Sequence, residues 1–133
     1  MRPFRRTLTG LLLLPPIALL PSPAFAGIGG GWHVTGEIAG RKFTADCRFD
    51  PQGTAQFGGE CIALSTGEET VKAGKSYKLT QGSVSGNQVR WGYPTKVMFL
   101  SVDIQYAGTL SGDRINGTIS AAGRKGTFAA VRK

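Results

Sequence analysis

A short motif written three times limits the fold of this chain more than any other feature. Gly36 to Phe43, Gly82 to Val89 and Gly108 to Ile115 each read glycine, any residue, aliphatic, small, glycine, polar, polar, apolar. A small residue and a glycine beside Asn, Asp or Arg take the positive φ angles of a tight hairpin, and the flanking apolar residues then meet across the turn. The stretch from Gly117 to Phe128 reads as a fourth copy with a longer loop. Such a chain is a meander of antiparallel hairpins.

Between the turns, apolar and polar residues alternate with the period of two that a half-buried strand requires. Phe43, Ala45, Cys47 and Phe49 alternate with Lys42, Thr44, Asp46 and Arg48. Met98, Leu100, Val102, Ile104 and Tyr106 alternate with Phe99, Ser101, Asp103, Gln105 and Ala107. Shorter runs set Trp32 with Val34, Tyr77 with Leu79, Val89 with Trp91 and Tyr93, and Phe128 with Ala130. Eight strands are predicted, starting near residues 32, 42, 54, 76, 88, 97, 114 and 125. Strands in sequence order with one apolar face hide that face and both edges together by closing on themselves. The expected fold is all-β, an eight-stranded antiparallel up-and-down β-barrel, with a two-sheet β-sandwich as the alternative.

The first residues read as an export signal. Arg2, Arg5 and Arg6 precede an apolar stretch from Leu8 to Leu20, and Pro21 to Ala26 ends in the small-x-small pattern of a cleavage site. A permanent membrane anchor fits poorly, because the stretch is short of the ~20 residues that span a bilayer and is broken at Pro15 and Pro16. Residues 1–26 are assigned to the signal peptide and 27–133 to a single domain, exported to the periplasm or beyond the cell. In that remainder, thirteen Lys and Arg outnumber eight Asp and Glu by five.

Cys47 and Cys61 both fall in the exported part, and an even count there is read as a disulfide. A tight turn at Asp50 to Gly53 would leave them about 16 Å apart at strand rise. The expectation is therefore a longer loop, Asp50 to Gly58, with strand three starting near Gly59. A bulge at Gly58 and Gly59 is the other way to bring the sulfurs together.

Gly30-Gly31-Trp32 opens the first strand and Arg132 closes the last. This resembles the calycin group of lipocalins, avidins and small exported bacterial barrel inhibitors. Their first strand carries a Gly-x-Trp motif with the indole under a basic side chain of the final strand. The resemblance implies that Arg132 lies over Trp32 and latches the first strand to the last. The chain departs from the group in being shorter than a lipocalin, in lacking the helix after the barrel, and in showing no biotin-contacting pattern. The resemblance concerns the fold and carries no ligand.

Catalysis needs converging titratable groups, and the chain has one histidine, His33, on the strand face opposite Trp32. No Gly-x-Ser-x-Gly elbow, phosphate loop, dinucleotide fingerprint or metal-ligand spacing is present. The chain is read as a non-enzyme without metal or cofactor. Strand faces without interleaved aromatics argue against nucleic acid.

Alternating loops of an up-and-down barrel fall at alternating ends. The loops near 39–42, 64–75, 94–96 and 121–125 would share one end. Arg41, Lys42, Lys72, Lys75, Lys96, Arg124 and Lys125 then face only Glu68 and Glu69, an excess of five positive charges. Tyr77, Trp91, Tyr93, Met98 and Tyr106 would line the throat beneath. Such a rim draws anionic partners, whereas the plainer reading has the aromatics simply filling an interior of this size. Three functions follow: a barrel holding a small apolar or anionic ligand; a protein-binding module such as a protease inhibitor, using a free Gly27 to Gly31; or a structural envelope protein.

Overall fold

The computed structural model describes residues 27–66, 73–97 and 99–133. The signal assigned to residues 1–26 lies outside the described residues, as do Lys72 and Met98. Described strand segments run in chain order as β1 (Gly30–Ile38), β2 (Arg41–Gln52), β3 (Gln56–Thr66), β4 (Ser76–Lys78), β5 (Gln81–Ser85), β6 (Gln88–Val97), β7 (Leu100–Ser111), β8 (Arg114–Ala121) and β9 (Arg124–Arg132). Pairing is antiparallel throughout, and β1 pairs with both β2 and β9, so the sheet closes. The segments β4 and β5 form one stave, since both pair with β3. Where they break, Leu79 donates to the Gly59 carbonyl and Thr80 to that of Gly92, so both walls stay bonded. The result is an eight-stave up-and-down barrel, and the sandwich is excluded.

The turns explain the repeated motif. Ala39-Gly40 and Ala122-Gly123 connect their strands in two residues, with φ of 52° and 78°, and of 50° and 79°. Two positive φ angles in succession suit a hairpin to the twist of its strands. Gly86 and Gly112 instead carry a positive φ at the first turn position alone, which spares Asn87 and Asp113 the left-handed region. The fourth copy thus has a two-residue turn, not the longer loop expected, because Ala122 accepts a conformation that alanine seldom takes.

The β2–β3 hairpin also differs from expectation. The loop from Asp50 to Gly58 does not form. Strand β2 continues through Pro51 and Gln52, and the chain turns at residues 53–55, where Gly53 has φ 68°. Gln52 then pairs with Gln56, and counting back along the ladder sets Cys47 directly opposite Cys61. Their disulfide spans Cα atoms 4.0 Å apart. Proline's fixed φ is compatible with a strand, so Pro51 marked a turn in the sequence that lies two residues further on.

Inside, Trp32, Trp91, Tyr106, Phe49, Val34 and Ile115 are almost wholly buried. Room for rings this large comes from glycines. A Cβ on Gly36 would meet the Phe43 ring, and one on Gly117 would overlap the backbone of Ala107, so these strands coil closely and leave interior space to aromatic side chains.

Candidate functional site

Every second residue of β6 faces inward, which puts Val89, Trp91, Tyr93 and Thr95 in the interior. Tyr106 of β7 lies opposite Trp91 in the ladder, and their rings stack with centroids 4.7 Å apart. Tyr77 of β4 stacks on Tyr93 at 5.2 Å. The Tyr93 and Tyr106 hydroxyls, 2.8 Å apart, join the two stacks. Of the five throat residues expected, four therefore form one aromatic wall. Burial pushes the Tyr93 phenol up to about 12 and that of Tyr106 well above its ordinary value, so both hydroxyls are neutral and either can donate to the other.

Two buried polar atoms on this wall have no partner among the described residues: Trp91 Nε1 and Thr95 Oγ1. Leaving a buried donor unpaired costs about 1–3 kcal/mol. Thr95 is 5 % exposed. It was not singled out from the sequence, although its place four residues beyond Trp91 gives it the inward parity of that residue.

Arg41, Lys42, Lys75, Lys96, Arg124 and Lys125 are exposed, and each sits beside a connection at the same end of the barrel. The Lys75 ammonium lies 5.5 Å from the centre of the Tyr77 ring, tying this rim to the wall below it. One boundary shifts: residues 94–96 belong to β6, which runs to Val97, and β7 begins at Leu100. Leu100, expected inside, is 71 % exposed, because β7 passes beyond the end of β8, whose last pair is Ala121 with Ile104.

The other end is held by residues 27–31. Arg132 stands 4.3 Å over the Trp32 ring, as the latch requires. Its guanidinium also donates to the carbonyls of Gly29 and Gly27 and to Asp113. The Trp32 indole donates to the Ile28 carbonyl at 2.8 Å, and Ile28 is fully buried. Gly27 to Gly31 is thus pinned under the barrel, whereas the inhibitor reading needed it free. His33 is on the outer wall, as expected, where its Nδ1 meets Asp46 at 2.8 Å. Lys133 lies 2.7 Å from the same carboxylate. Hydrogen bonding from Lys133, then from His33, holds the Asp46 carboxyl below its usual range against the opposing effect of burial.

Among the described residues, no three His, Cys, Asp or Glu side chains gather as a metal site. An open groove of about 540 Å³ crosses the outer wall between Lys42 and Asn116, but it contains none of the unpaired atoms.

These features define a closed β-barrel with an aromatic interior, one end latched and the other ringed by cations. No family model and no curated protein matches the chain. Among solved structures it is similar to a redesigned β-barrel, mFAP1, bound to DFHBI. The TM-score is 0.67 at 16 % identity, over 84 % of this chain and all of that one. A likeness at that identity concerns the shared barrel.

Proposed function

We propose that this is an exported, non-catalytic binding protein that holds a small apolar or anionic ligand through the mouth at its basic end. The observation that carries the reading is the pair of unpaired buried polar atoms, Trp91 Nε1 and Thr95 Oγ1, on a wall of stacked rings. An apolar wall with a few placed polar groups is the usual make-up of a small-molecule site. A flat, largely apolar ligand with a hydrogen-bond acceptor would satisfy the indole, and the hydroxyl of Thr95 would donate or accept as needed. Support also comes from the rim, whose cations raise the local concentration of anions. The similar barrel bound to DFHBI adds that a closed barrel of this fold is compatible with a small ligand. The disulfide fits an oxidising compartment, in keeping with export.

Native mass spectrometry of the exported protein from its own host tests this directly. A retained small molecule is expected. Trp91→Phe keeps a ring and removes the donor, so it should lower retention by up to about tenfold, and Lys75→Glu with Lys125→Glu should weaken an anionic ligand further. Protein that carries nothing, or retention indifferent to both Trp91→Phe and Thr95→Val, would overturn the reading.

A further inference from the structure

At the basic end one hairpin reaches past its neighbours. The last β5–β6 pair is Gln81 with Gly92 and the last β7–β8 pair is Ile104 with Ala121. From Pro94 and Asp103 outward, β6 and β7 pair only with each other among the described strands. Pro94, which has no amide hydrogen to donate, stands at the start of this projection. The four residue steps from Ile104 to Leu100 carry the tip about 13 Å beyond the last β7–β8 pair at strand rise, and less along the barrel axis because barrel strands are tilted.

The end of the projection is apolar. Phe99 is 98 % exposed and Leu100 71 %. An aromatic ring held wholly in water is unfavourable by the transfer free energy of its surface, and the rest of the barrel keeps its large rings inside. Lys96 and Asp103 project from the same hairpin, and behind it Arg124 and Lys125 on one side and Lys75 on the other flank the base, all exposed.

From this arrangement we infer that the β6–β7 tip docks the barrel, mouth first, on an anionic lipid surface, with Phe99 and Leu100 entering the interface. Aromatic and aliphatic side chains settle roughly 5–10 Å into the boundary between headgroups and acyl chains. At that depth the cations behind the tip lie level with the headgroups, where each adds attraction to acidic lipid. A single apolar tip is weak alone, and a cation ring is weak alone. Together they give reversible attachment that depends on both, without a membrane-spanning element. The inference concerns an outer surface and does not depend on whether the interior holds a ligand.

The test is vesicle co-sedimentation of the exported protein. Intact mass should first confirm loss of residues 1–26, since a retained apolar leader would bind vesicles by itself. Vesicles of one part phosphatidylglycerol to three parts phosphatidylcholine should bind it, and pure phosphatidylcholine should bind at least about tenfold less. Added salt should release it, with the steepness expected for several cations. Phe99→Ser with Leu100→Ser should lower binding about tenfold or more while circular dichroism and melting stay unchanged, and Arg124→Glu with Lys125→Glu should do so through the charge alone. Equal binding by wild type and the tip variant, or no preference for acidic lipid, overturns the inference. A wild-type dimer in solution that the tip variant converts to monomer also overturns it, by assigning the tip to a second copy of the chain.

Discussion

The barrel buries two tryptophans completely and treats them differently. Trp32, near the chain termini, donates its indole hydrogen to Ile28 and lies under the Arg132 guanidinium. Trp91, stacked on Tyr106 further up the barrel, has an indole nitrogen with no partner. One ring completes a latch in which its indole donor is used. The other stands in a wall that keeps a donor and a hydroxyl unspent at a cost in stability. The contrast separates the two ends of the molecule: below, Ile28 and its neighbours fill the opening, and above, cations and an apolar tip face outward.

The comparison breaks most readily through the disulfide, which sits beside Trp32 because Cys47 is the register partner of that residue. Cys47→Ser with Cys61→Ser should lower unfolding stability by about 3 kcal/mol in a denaturant titration. If the barrel is one cooperative unit, fluorescence from both tryptophans will report a single transition. Trp32→Phe and Trp91→Phe then sharpen the contrast, since they remove the same volume. The first leaves Ile28's carbonyl unpaired and the second removes an unpaired donor, so Trp32→Phe should be the more destabilising by about 1–3 kcal/mol. Equal losses would mean that the two donors are alike in solution.

A third distinction shows only in alkali. Tyr93 is raised from 10.0 to about 12 by burial, so its contribution is complete below pH 10 and lost as pH rises through about 12. Phenolate absorbance should appear for these buried tyrosines only as the barrel opens, with stability falling across the same window. The smallest effect concerns a turn: Ala122→Gly relieves a left-handed alanine and should stabilise by about 0.5 kcal/mol, net of glycine's added chain entropy. A decrease would show that the turn relaxes in solution.

Much of the wall could be read in advance because its signals are local. Gly40, Gly86 and Gly112 mark hairpins through their own φ angles, and parity alone sorts Trp91, Tyr93 and Tyr106 inward. Thr95 shares that parity, but a threonine in a strand is ordinary and its type carries no signal of a site. Leu100 misled, since its parity pointed inward while the neighbouring stave ended too soon to cover it. Pro51 misled because a proline after aspartate resembles a turn, although the left-handed residue that the bend needs is Gly53.

Residue order alone determined that this protein would be an antiparallel meander with one apolar face, since turn chemistry and strand alternation act between neighbours in the chain. Where each stave stops relative to the next, whether an indole finds a carbonyl, and how Ile28 comes to close one end were decided only by the tertiary structure. Those outcomes depend on distances between residues far apart in sequence, which become definite only when β1 and β9 meet and the barrel closes.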